Sequence, residues 1–317
     1  MYGGIEMSNY RAGDIIRLTR IAIGMTQEEL CENICGVQTL HRIENGKVAV
    51  KKETYHRLME KMNRIPEQTY AVCVGKNMEL LEERIYLEDA MRKEEYEKAD
   101  QYLKIIESEA DDNIVTFQYV RKMKALVHFY MGRIDKKQLL DELDQVIRMT
   151  VPDYEKYYEK EYPFTEQEIL ALMSMANSLD RNKEYEESRK IYKMLLRCIE
   201  IDYMEGTYKI QIKVIIMWNL ARNYGNSSKH EKAVELLKES LKISKEYDYG
   251  CRYTEIYGLL AWNMLNEIKS GKRDNKERKK VEQYLRQAYY IAAARRDKNL
   301  MQITKNIYEG EFHQEIN

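Results

Sequence analysis

Five times between residues 96 and 292 the chain returns to one kind of segment. They are YEKADQYLKII from Tyr96, KQLLDELDQVI from Lys137, YEESRKIYKMLL from Tyr185, HEKAVELLKESL from His230 and KVEQYLRQAYYIA from Lys280. Four of them place a small or apolar residue four positions before a larger one: Ala99/Leu103, Ser188/Tyr192, Ala233/Leu237 and Val281/Leu285. Residues four apart share one face of a helix. Tyr185 and His230 are 45 residues apart, and Tyr96 and Tyr185 are 89, about twice that period. A repeat of this length is one helical hairpin. A hairpin cannot bury its apolar face alone, so the copies must stack. With only 14 glycines and three prolines in 317 residues, the chain lacks the punctuation of a β protein. The expected fold is all-α.

A helix should precede each of these segments. In two cases its residues follow the tetratricopeptide pattern: Leu172, Met175-Ala176, Leu179, and then Met217, Leu220-Ala221, Tyr224. The small residue lies 12 positions before Ser188 and Ala233 respectively, which is the tetratricopeptide spacing. The loops LDRNKEYEES and YGNSSKHEKA are polar, as a turn between helices requires. Residues 76–310 therefore read as an α-solenoid of about five degenerate tetratricopeptide-like hairpins, within a domain spanning 79–317. An unrelated helical solenoid or bundle is the alternative. The stretch KSGKRDNKERKK (269–280) reads as a solvated charged loop, with a DNA-contacting patch as its other reading.

The N-terminal part has a different grammar. In MTQEELCENICGVQTLHRIENG (25–46), Thr26 stands three residues before Glu29, a capping box that starts a helix. Leu30 and Ile34 fall four apart on one face. Cys35-Gly36-Val37 is a sharp turn, with Gly36 suited to capping the next helix. That helix should run from about Val37 to Glu44, turn Leu40 and Ile43 inward, and stop at Asn45-Gly46. Val37, Gln38, His41 and Arg42 are left outside. Gln and Arg on an exposed helix can make bidentate contacts to base edges in a major groove. Helix 1 is expected over Arg11–Ile23, with Ile15, Ile16 and Leu18 inward and Gly24 closing it. A fourth helix is expected over Lys51–Met62, burying Tyr55, Leu58, Met59 and Met62. Pro66 marks a break and opens a linker helix. The boundaries are then 9–66 for a five-helix head, 67–78 for a linker or hinge, and 79–317 for the array. Residues 1–8 are expected to be disordered, and Met7 is a candidate start.

These residues also carry a resemblance. TQEEL, an apolar turn and TLHRIENG resemble the phage-repressor (XRE, Cro/C1-like) helix-turn-helix. ENICGVQTLHRIENGK, followed by a tetratricopeptide-like body, resembles the PlcR/Rgg/PrgX (RRNPP-type) regulators of Gram-positive bacteria. The resemblance implies a homodimeric, cytoplasmic transcription factor that binds double-stranded operator DNA. It implies that Gln27 and Asn45, assisted by Lys47, contact phosphates, and that Val37, Gln38 and Arg42 face bases, with His41 beside them. Val37 departs from the polar residue common at that position. In such regulators a short signalling peptide binds the concave face and changes how the heads address DNA.

The first helix of each hairpin makes most of that concave face. Asn177, Asn219 and Asn263 are candidates there, with Arg222 alongside. An asparagine can bond both the N–H and the C=O of an extended peptide, and Trp218 and Trp262 each precede one of these residues. Surface or inter-helix bonding is the alternative for each Asn. Net charge is −1 overall. Residues 1–66 carry ten basic and eight acidic residues, or +2, and the remainder 42 and 45, or −3. A mildly basic head suits a specific binder more than a non-specific coat.

Five scattered cysteines without a CxxC fit a reducing cytosol, and Cys31 and Cys35 read as core packing rather than a redox pair. There is no apolar run long enough for a membrane span. No GxGxxG, GxxxxGK[ST] or HExxH motif is present, so neither enzyme activity nor a cofactor or metal is expected. A protein-binding adaptor, or a DNA-binding regulator responding to a small molecule, remains the rival reading.

Overall fold

The computed structural model describes residues 12–48, 50–62, 79–109, 114–201, 206–247 and 252–316. Among them are fifteen α-helices and no strand. They form two compact units, Met1–Ser178 with Arg197–Met204, and Leu179–Leu196 with Glu205–Asn317. No helix among the described residues is long and apolar enough to cross a membrane.

The first unit opens with α1 (Ala12–Ala22), α2 (Gln27–Cys31), α3 (Val37–Glu44) and α4 (Lys52–Lys61). Ile16, Leu30, Leu40, Ile43, Leu58, Met59 and Met62 meet in its core, with Tyr55 packed against them. The capping box is present: Thr26 Oγ1 accepts from Glu29 N at 3.1 Å, and Glu29 accepts from Thr26 N at 2.7 Å. The backbone and hydroxyl bonds from Thr26 hold the Glu29 carboxyl below its usual range. Helix α3 has the expected limits. Helix α2 does not reach Ile34. It stops at Cys31 because Glu32 already leaves helical geometry at ψ 127°, and Asn33 follows at φ 61°, a left-handed conformation that Asn tolerates and a continuing helix does not. The turn is therefore Glu32–Gly36. Leu18 is half-buried rather than buried. Cys31 lies in the core and Cys35 at its edge. The expected linker helix from Pro66, the hinge 67–78, the N-terminal residues 1–8, and Ile15's side chain lie outside the described residues.

Helices α5 (Glu79–Arg92), α6 (Tyr96–Glu109), α7 (Ile114–Tyr130), α8 (Lys136–Arg148) and α9 (Glu166–Arg181) follow. The second unit holds most of α10 (Tyr185–Cys198), then α11 (Gly206–Asn226), α12 (His230–Glu246), α13 (Tyr253–Lys269), α14 (Arg278–Ala294) and α15 (Lys298–Phe312). Within each unit, α5 to α8 and α11 to α15 pack chiefly on their sequence neighbours, as in a solenoid. The five repeated segments are α6, α8, α10, α12 and α14. Ala99/Leu103, Ser188/Tyr192, Ala233/Leu237 and Val281/Leu285 are all buried, as are Leu172, Ala176, Leu220 and Ala221. The stretch 269–280 is largely exposed; it starts on the last residue of α13, turns through a 3-10 helix at Asn275–Glu277 and enters α14 at Arg278.

Two polar ties in the first unit bear on its behaviour. Tyr157, in the connection between α8 and α9, donates its hydroxyl to Ala22 O at 3.1 Å and so holds the end of α1. Its own carbonyl accepts from Arg197 at 3.3 Å. On α6, Asp100 accepts from both Arg133 nitrogens at 2.8 and 3.0 Å, with Lys104 at 3.0 Å and His128 at 3.9 Å. The Arg133 bonds, helped by Lys104, pull its carboxyl down to about 2. The unfolded carboxyl titrates near 4, so its contribution is complete above about pH 4 and lost as pH falls toward 2. In an acid titration followed by circular dichroism, Asp100→Asn should lower stability at neutral pH and flatten the loss over that window. An unchanged slope would show that Asp100 carries none of it.

Candidate nucleic-acid interface

The exposed face of α3 is set by how that helix is held. Leu40, Ile43 and Glu44 are buried, the first two against α1, α2 and α4. Glu44 is a carboxylate only 2% exposed. Arg20 reaches it from α1 with Nε at 2.7 Å and Nη2 at 2.9 Å, and Gln27 donates to it from α2 at 2.6 Å. Arg20 also donates to Met25 O at 2.9 Å. A buried charge without partners would be costly, and here a bidentate guanidinium and an amide satisfy it. The Glu44 bond raises the Arg20 pKa further. One carboxylate thus joins three helices and fixes the angle of α3.

Gly13 makes that approach possible. A Cβ there would stand 1.9 Å from Ile43 O, so α1 and α3 touch backbone to backbone. At the other end, Gly46 has φ 65°, and Lys47 N reaches back to Arg42 O at 2.8 Å. The left-handed turn ends α3, as Gly permits.

The outer face carries the residues expected there. Gln38, His41, Arg42, Asn45 and Lys47 are exposed, and Gln27 and Val37 are half-buried. Gln27, Val37, Gln38, His41 and Arg42 line one open hollow of about 370 Å³. Gln38, Arg42 and Lys47 have no side-chain partner among the described residues. Gln27 has one amide N–H committed to Glu44. Asn45 turns back on its own helix, donating to His41 O at 2.7 Å and lying 3.3 Å from His41 Nε2.

Sequence reasoning did not single out Arg20, Glu44 or Gly13. The available signal was that position 44 falls on the same inner face as Leu40 and Ile43, where a carboxylate demands a partner.

The candidate peptide residues have three different surroundings. Asn177, on α9, is half-buried with interactions of its own. Asn219, on α11, is 4% exposed, yet its amide has no partner among the described residues. Asn263, on α13, is fully buried. Its Oδ1 meets His230 Nδ1 at 2.9 Å and its Nδ2 donates to Leu259 O at 2.8 Å. Arg222 lies over the Trp218 ring at 5.0 Å and pairs with Asp180 at 3.3 Å. One turn away from Asn219, Asn223 was not anticipated. It is fully buried, donates to Asp180 at 2.9 Å and Tyr185 O at 3.0 Å, and accepts from Arg189 at 3.0 Å. It ties the turn before α10 to α11.

Residues 16–68 match the HTH_3 family, described as helix-turn-helix. No curated protein matches the sequence. Among solved structures, the chain is similar to PlcR from Bacillus thuringiensis in complex with the peptide PapR7 and DNA. The identity is 15%, covering 94% of this chain and 98% of that one, with a TM-score of 0.58. The apo form of PlcR gives 12% identity, 93% and 98% coverage, and 0.59. ComR from S. thermophilus, in complex with DNA and its signalling peptide ComS, gives 13%, 94% and 99%, and 0.51. These likenesses concern the fold; the head is matched in sequence as well. Residues 16–68 thus carry a helix-turn-helix match, and the chain over nearly its whole length has the fold of PlcR and ComR.

Proposed function

We propose that this protein is a sequence-specific transcription regulator that binds operator DNA as a homodimer under the control of a short signalling peptide. The observation that carries the DNA part is the outer face of α3, where Gln38 and Arg42 stand exposed with free donors beside Val37 and His41. Both side chains have the fork needed for a base edge. Two heads on a two-fold axis would address half-sites about 34 Å apart or a multiple of it. Selection from random duplexes tests this reading, with sizing of the bound species. It expects a palindromic site and two chains per duplex. Enrichment of no sequence, or binding by one chain, would overturn it.

Asn219 supports the peptide part. The residue is largely buried, yet its amide bonds to nothing among the described residues and is left open to a ligand. An extended peptide backbone offers both the acceptor and the donor it lacks. The protein should retain peptides from a synthetic library of short sequences, and these should shift its DNA affinity. Asn219→Ala should leave DNA binding by the free protein unchanged and weaken the peptide response about 5- to 30-fold, the worth of one or two buried bonds. Loss of folding in that variant would make the residue structural and remove this support.

A further inference from the structure

The contact between Asn45 and His41 determines more than the end of α3. A backbone carbonyl can only accept, so the Asn45 atom 2.7 Å from His41 O is the amide nitrogen. The same nitrogen lies 3.3 Å from His41 Nε2. Its second N–H is then free to donate to that ring nitrogen, which accepts only in its bare form. A neutral imidazole has one bare nitrogen and one N–H, so accepting that bond would leave the ring proton on Nδ1. Asn45 keeps only Oδ1, an acceptor, which a phosphate oxygen repels. The donor expected from Asn45 is thereby moved to the neighbouring side chain.

We infer that Asn45 is a positioning residue that holds His41 in its Nδ1–H form, so that His41 meets DNA as a single N–H donor aimed at an acceptor atom, either a base edge or a phosphate oxygen. This rests on the DNA-binding role of α3 proposed above. His41 lines the same hollow as Gln38 and Arg42 and is exposed, so it stands beside the two side chains proposed to read the duplex. A base-edge partner is guanine O6 or N7, adenine N7 or thymine O4; the amino groups of adenine and cytosine are excluded because a donor cannot bond a donor.

Two measurements test this on the full-length protein. Long-range proton–nitrogen correlation spectra with labelled histidine should show a bare Nε2 on His41 without DNA, and a mixture of both forms in Asn45→Ala. A proton on Nε2 in the parent protein overturns the inference.

The second measurement is a double-mutant cycle on the duplex that the parent protein selects. His41→Phe and Asn45→Ala should each weaken binding about 3- to 10-fold, the worth of one hydrogen bond. The double variant should be no weaker than His41→Phe alone. If Asn45→Ala keeps its full cost in the His41→Phe background (whether by direct DNA contact or by loss of the cap), the inference is overturned. A base-edge acceptor appears as relaxed choice at one position on reselection with His41→Phe. A phosphate acceptor appears as an equal loss on selected and random duplexes. If the parent protein selects no sequence, the proposed function falls and takes this inference with it. Additive losses in a protein that does select overturn the inference alone.

Discussion

Gly13→Ala will unfold the head and leave the helical array intact. Glycine is ordinarily a poorer helix former than alanine, so an unconstrained substitution would not be expected to weaken α1. Here the added methyl group would meet Ile43 O at 1.9 Å. The obstacle is backbone, not a side chain that can swing away. Forcing α1 off α3 also breaks the bidentate Arg20–Glu44 pair and strands a buried carboxylate. Overpacking typically costs about 1–3 kcal/mol, and the stranded charge adds to it, so a loss of about 3 kcal/mol or more is expected. The two tryptophans, Trp218 and Trp262, both lie in the array, so their fluorescence transition should not move. Hydrogen-exchange protection in residues 12–62 should fall sharply, and DNA binding with it. Unchanged protection there would mean that α1 slides without penalty and that its contact with α3 is not what sets the recognition helix.

The second large effect concerns Arg42. Arg42→Ala should cost about 1–3 kcal/mol on the selected duplex and relax choice at one base position, the mark of a bidentate base contact. Lys47→Ala should behave differently, although both side chains are exposed cations without partners among the described residues. Lys47 lies past Gly46, beyond the end of α3, where a compact ammonium suits a phosphate. Its loss should weaken all sequences alike and make the salt dependence shallower by about one counterion. Binding isotherms at several salt concentrations, on selected and random duplexes, separate the two. Equal losses of Arg42→Ala on both duplexes would move that residue to the backbone and leave Gln38 to carry the reading.

The buried tie at Glu44 and the free donors at Gln38 and Arg42 divide the labour of α3. Its inner face is held rigidly from two other helices. Its outer face is left without internal partners. Rigid placement matters because the ordering cost of a recognition side chain is lower when its backbone does not have to be fixed on binding.

Much of this was legible in the residues. The starts of α6, α10 and α12, the limits of α3, the capping box at Thr26 and the buried pairs from Ala99/Leu103 to Val281/Leu285 all follow from local rules. Helical period, caps and turn chemistry are written within a few residues of where they act. Tertiary structure decided the rest. Glu44 reads as an ordinary helix charge until Arg20, 24 positions earlier, closes on it. Gly13 reads as a weak point in a helix until the carbonyl of Ile43 occupies the space of its missing side chain. Asn177, Asn219 and Asn263 look alike in the chain, yet their amides have different surroundings because different helices cover them. Which neighbour covers a residue depends on how elements distant in the chain cross, and no short window of sequence contains that crossing.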